Sequence, residues 1–204
     1  MFIPVPDSSY FEKKNTAGIG IDINSIIETK DGTSLRSIPE WLRVFINGGI
    51  EAVESLDRFS NKYVYIGINK GTDTAALNKW AEIFSAAYDF PVLAAERIEK
   101  RMIASASLYP NDEYGAFFER MVIKAYGTSY TGTSKEDTYW IKAIIDNENN
   151  DAETFMYFIL ITIDKYTMQS IIKNMLIQTE NSVKLTAAQN ISVNRLQQNF
   201  FEGF

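Results

Sequence analysis

Phe155-Met-Tyr-Phe-Ile-Leu-Ile-Thr-Ile163 decides the fold. The run is strand-length, nearly all apolar, and rich in β-branched and aromatic side chains. A strand with one wet face alternates polar with apolar residues; this one does not. Both of its faces must be covered, which makes it a central strand. Upstream, Thr138 to Ile145 does alternate, with Tyr139, Ile141, Ala143 and Ile145 set against Trp140, Lys142 and Ile144. The polar stretch 146–151 between them reads as a turn, so the two strands form a hairpin with a long loop. A third strand is Lys62-Tyr-Val-Tyr-Ile-Gly-Ile-Asn69, with Val64, Ile66 and Ile68 on one face and Tyr63, Tyr65 and Gly67 on the other. Ile19, Ile21 and Ile23 alternate in 18–24 and suggest a short fourth.

Helical spacing fills the gaps. Leu42, Phe45, Ile46, Ile50, Val53 and Leu56 recur at three- and four-residue steps after Pro39, which suits a first helical turn. Gly48-Gly49 kinks or ends this helix. Asp73 is a good N-cap for a long helical region, 73–108, which Pro91 kinks or restarts. Its many alanines would allow close approach to a sheet. Asn111 or Asp112 caps a helix 112–126, and Asp164 caps another over 165–178. The predicted fold class is therefore α+β: a small mixed or antiparallel-rich sheet against a long kinked helix, with flanking helices. Residues 1–37 read as an arm with a short strand, 38–180 as a single α+β domain, and 181–204 as a helical or partly ordered tail. The tail's Val183, Ile191, Leu196, Phe200, Phe201 and Phe204 are expected to dock on the parent domain.

Composition removes much chemistry. The 204 residues include no His and no Cys. That excludes a Ser-His-Asp triad, a Cys nucleophile, an imidazole base and a Cys/His zinc site. No metal or other cofactor is expected. The net charge of −6 repels phosphate backbones and argues against nucleic-acid binding. No stretch reaches the roughly 20 apolar residues of a membrane span. Met1-Phe-Ile-Pro-Val-Pro-Asp7 has no basic, then apolar, signal pattern. The expectation is a cytoplasmic protein as the chain is written, or a targeting segment upstream.

Four constellations invite a functional reading. Gly67 to Asp73 lies between a strand and a helix, as phosphate loops do, but it lacks their further glycine and Gly-Lys-Ser/Thr; turn and cap explain it better. Asp112, Glu113, Glu119, Glu136 and Asp137 supply carboxylates for acid/base work of a hydrolase, although helix-start acids are favoured by the dipole alone. Tyr109, Tyr114, Tyr130, Tyr139 and Trp140 would make an aromatic ligand platform for sugar, peptide or lipid. Most of them fall at amphipathic spacing, which favours core burial. Arg97 and Arg101 form either an anion clamp or a solvated helix face.

Pro39-Glu40-Trp41, the strand Tyr63-Val-Tyr-Ile-Gly67, the segment Ala94-Ala-Glu-Arg97-Ile-Glu-Lys-Arg101, then Trp140 and the strand Phe158-Ile-Leu-Ile-Thr-Ile163 occur in this order. Over roughly residues 38–178 the chain resembles the small bacterial outer-membrane lipoproteins that share a domain with the N-terminal part of flagellar assembly protein T. The resemblance implies an α+β domain at the cell envelope or periplasm, with structural or assembly roles and no known active site. Two features depart from that family. Its lipidated N-terminal cysteine has no counterpart, and the segment Tyr109 to Ser134 is longer. The expected function is a non-catalytic envelope or assembly module acting through protein contacts, with a protein partner or self-association. A ligand-binding module with an aromatic-lined pocket between the sheet and 109–134 is the alternative, and a carboxylate-dependent hydrolase the third.

Overall fold

The computed structural model describes residues 21–85, 87–147, 150–202 and 204. Among these lie six α-helices and four strands, and the class is α+β. The strands are β1 (Ile26–Thr29), β2 (Lys62–Gly71), β3 (Thr133–Asn147) and β4 (Asn150–Asp164). The helices are α1 (Glu40–Glu54), α2 (Thr74–Ile83), α3 (Phe90–Ser107), α4 (Phe117–Tyr126), α5 (Lys165–Ser182) and α6 (Ala187–Glu202). They sort into two compact units. Of the described residues, one takes those within 21–85 and 132–165, the other those within 87–131 and 166–204.

In the sheet unit the strand order is β1-β3-β4-β2, antiparallel throughout. Met156 to Ile163 of β4 are all buried, as a strand paired on both sides and covered on both faces must be. The β3–β4 pairing runs to Asn147↔Asn150, so 146, 147, 150 and 151 belong to the strands rather than to the long loop expected over 146–151. Cross-strand partners share a face. The first face carries Val64, Ile66, Tyr139, Ile141, Ala143, Met156, Phe158 and Leu160, and α1 lays Trp41, Leu42, Phe45 and Ile46 into the same core. Phe45 meets Phe158 edge to face, 6.3 Å between centroids. The α1 axis breaks at Gly49, whose φ of 73° only glycine adopts without strain. The helix resumes and seats Val53 in the core.

Among the described residues of the N-terminal segment the short strand is Ile26–Thr29, and 21–24 of the predicted 18–24 are not strand. Of that predicted strand, 18–20 lie outside the described residues. At 22–25 the Asp22 carboxylate accepts from the Asn24 amide at 2.9 Å and winds the chain into a single 3₁₀ turn, which delays the strand.

Helix α2 lies over β2 and β4. Asp73 caps it by accepting from the amides of Ala75 and Ala76 at 2.9 and 3.1 Å. Leu77 and Ala81 are buried. A Cβ on Gly67 would lie 3.0 Å from the Phe84 ring, so the bare strand lets that ring approach.

The helical unit contains α3, α4, α6 and all but the first residue of α5. Region 73–108 is two helices rather than one bent one, and the restart falls at Pro91 in the first turn of α3. Ala94, Ala95, Ile98 and Met102 of α3 are fully buried, and α3 contacts α4 and α6. The fourth helix starts at Phe117, later than the predicted 112, because Gly115 at φ 55° cannot be a helical residue. In α5 the buried stripe is Met168, Ile172, Met175, Leu176 and Thr179.

Helix α6 opens with a capping box: Thr186 Oγ1 accepts from the Gln189 amide at 3.2 Å and Gln189 Oε1 from the Thr186 amide at 3.0 Å. Val193, Leu196 and Phe200 are buried. Arg101 of α3 donates to the Asn199 and Phe200 carbonyls, near the negative end of α6. Arg97 lies over the Phe204 ring, 5.2 Å from its centroid, and Lys173 over Phe201 at 5.6 Å. The two arginines thus hold the C-terminal helix rather than forming an open clamp.

Candidate functional site

A register shift in β3 shapes the sheet. Lys135 pairs with Ile161 and Asp137 with Leu160, so Glu136 is an extra residue in a bulge. Strict alternation would send Glu136 and Asp137 to opposite faces. With the bulge, both reach partners on the first face. Glu136 Oε1 accepts from Lys62 Nζ at 2.8 Å and from Thr162 Oγ1 at 2.6 Å. Asp137 Oδ2 accepts from Trp41 Nε1 at 2.9 Å, and its Oδ1 from the Thr138 amide at 2.8 Å. The bonds from Lys62 and Thr162 hold the Glu136 carboxyl below its ordinary pKa. Each carboxylate is thus occupied by the fold.

The same bulge puts Lys135, Thr138 and Trp140 together on the second face. There an open groove of about 340 Å³ runs between β3 and α2. Thr138, Trp140 and Tyr157 lie along the sheet side, and Asn78, Ala81 and Glu82 along α2. Lys30 and Lys135 complete the lining. Trp140 stacks on Tyr157 with 6.2 Å between centroids and meets Phe155 edge-on at 5.6 Å. Tyr157 donates its hydroxyl to Asn78 Oδ1 at 2.8 Å. Burial raises the Tyr157 pKa and keeps that proton in place. Lys135 Nζ donates to the Ala81 carbonyl at 2.7 Å, near the C-terminus of α2, where a cation is favoured. Lys30 Nζ donates to the Thr138 carbonyl at 2.8 Å.

The two predicted aromatic residues of the sheet unit, Tyr139 and Trp140, do not share a face. Trp140 lines the groove. Its neighbour Tyr139 points to the opposite face, is buried, and donates to the Ser37 carbonyl at 3.1 Å. The other three belong to the helical unit. Tyr130 is buried against the edge of Phe90 and donates to the Ala125 carbonyl at 2.9 Å. Tyr109 lies under the Arg195 guanidinium, 5.1 Å away. Arg195 also faces Asp112 Oδ1 at 3.5 Å. The Tyr114 hydroxyl and Asp112 Oδ2 are buried and find no hydrogen-bond partner among the described residues. Burial first, then the Asp112 charge, pushes the Tyr114 phenol up to about 12.

Sequence reading missed Lys30, Asn78, Lys135 and Tyr157. Only the bulge and the α2 packing bring them together, and neither leaves a motif. Among the described residues no three Asp or Glu side chains are grouped to hold a metal ion. No described helix is long and apolar enough to cross a membrane. The chain matches no protein-family model, no curated protein and no solved structure.

Proposed function

We propose that this protein is a non-catalytic module that works by contact with a protein partner. The observation that carries this reading is the engagement of its best acid/base candidates. Glu136 is bonded to Lys62 and Thr162, and Asp137 to Trp41. A general base needs a lone pair directed at substrate; Asp137 spends both oxygens on Trp41 and the Thr138 amide, and Glu136, although exposed, has one oxygen taken up by Lys62 and Thr162. A role at the cell envelope rests on the resemblance in sequence to the outer-membrane lipoproteins. Ligand binding is the second reading, favoured by the groove beside Trp140.

The contact surface is the β3 half of the second face, where Trp140, Lys142 and Phe155 are half-buried and Ile144 is 39% exposed. A photo-crosslinking residue placed at Ile144 in cells that make the protein should give one discrete protein adduct. The same residue at exposed Glu51, on α1, should give none. Equal labelling at both positions, or none at either, would refute the reading.

A further inference from the structure

We infer that the groove beside Trp140 recognises a carboxylate carried on a flat apolar stem. This rests on the second, ligand-binding reading and names the chemistry recognised. Each group lining the groove has a fixed hydrogen-bonding capacity. Lys30 and Lys135 each have one proton committed to a backbone carbonyl, Thr138 O and Ala81 O, which fixes the ammonium and leaves two further N–H bonds. Asn78 has its carbonyl oxygen engaged by Tyr157, so its amide NH₂ is what remains to offer. The Trp140 indole N–H has no protein acceptor among the described residues, unlike that of Trp41. The Thr138 and Tyr157 hydroxyl oxygens can still accept, but the charged and amide capacity that remains is donor except at Glu82. Glu82 is the one carboxylate lining the groove, and it faces Lys79 at 3.5 Å. Two fixed cations and two neutral donors beside an indole suit an anionic acceptor with an apolar body. They disfavour a cation, and a sugar hydroxyl would leave the cations without a counter-charge. The volume, about 340 Å³, admits one small acid or the carboxylate end of a peptide.

The test is a titration followed by ¹H–¹⁵N NMR with 3-phenylpropionate as probe. The same stem carrying an alcohol (3-phenylpropanol) or an amine (3-phenylpropylamine) serves as comparison. Acetyl-Gly-Gly-Phe, with its terminal carboxylate free or amidated, distinguishes a chain end from a free acid as the source. The Trp140 indole signal should move with either free carboxylate. The alcohol and the peptide amide should bind about fivefold or more weakly, and the amine should leave the signal in place. Lys135→Met and Lys30→Met should each weaken the acid by about fivefold while the rest of the spectrum stays that of the folded protein. Equal response to acid, alcohol and amine, or no movement of Trp140 with any carboxylate, would overturn the inference. An Ile144 adduct found alongside such a negative titration would leave the protein-contact reading standing and remove only the carboxylate.

Discussion

Trp41 Nε1 donates to Asp137 Oδ2 at 2.9 Å, joining the first turn of α1 to the bulge of β3 across 96 residues of chain. The indole is 1% exposed. Asp137→Ala would leave its N–H buried without an acceptor. We expect a loss of about 1–3 kcal/mol in chemical denaturation, with Asp137→Asn milder because an acceptor remains. A fully stable Asp137→Ala protein would show that the bond contributes nothing.

Glu136 gives the fold an acid limb. Its folded pKa lies below the ordinary 4.5, held there mainly by the Lys62 hydrogen bond. A depressed carboxyl contributes stability that is present above the unfolded value and lost as pH falls through the folded one. The difference in melting temperature between wild type and Glu136→Gln should be constant near neutrality and shrink below pH 4.5. A difference that stays unchanged all the way down the acid limb would mean that the carboxylate makes no such contribution.

Tyr114 and Tyr130 should behave oppositely. Removing the Tyr130 hydroxyl breaks a bond to Ala125 and should cost about 1 kcal/mol. Removing that of Tyr114 abolishes a buried group with no partner, so Tyr114→Phe should be neutral or stabilising. Because the Tyr114 pKa is raised, ionisation favours the unfolded chain, so stability is unaffected below the unfolded value near 10 and falls as pH rises from there towards 12. Tyr114→Phe should therefore blunt the alkaline fall of the melting temperature.

Arg101 ties α3 to the end of α6. Arg101→Met leaves the Asn199 and Phe200 carbonyls without that donor and should lower stability by about 1–2 kcal/mol, with Lys a poor replacement for the two-point contact. Deleting 183–204 removes Val193, Leu196 and Phe200 from the helical core. The expected product self-associates in light scattering; an equally stable monomer would contradict the packing.

Periodicity made much of this architecture legible. The unbroken apolar run of β4 identified the central strand, and Pro39, Asp73 and Pro91 marked helix starts because caps and φ restriction act locally. What stayed hidden depends on distant chain. The bulge at Glu136 is a register event between strands, and no local pattern at Lys135-Glu136-Asp137 distinguishes it from plain alternation. Trp140 was legible as a candidate because it lies on a strand face. Lys30 and Asn78 were not, since they become neighbours of Trp140 only through β1–β3 pairing and the seating of α2. Gly115 offered a signal that would have corrected the start of α4: a glycine inside a proposed first turn is a common sign that the helix begins after it.

The most direct test compares two variants in one crosslinking experiment from position 144. Glu136→Gln alters the strongest acid/base candidate and leaves the groove intact; Trp140→Ala removes the groove's aromatic surface and leaves the carboxylates intact. If the protein works by contact, Glu136→Gln keeps the partner adduct and Trp140→Ala loses it. An adduct that survives Trp140→Ala but vanishes with Glu136→Gln, in proteins that are both folded, would contradict the claim.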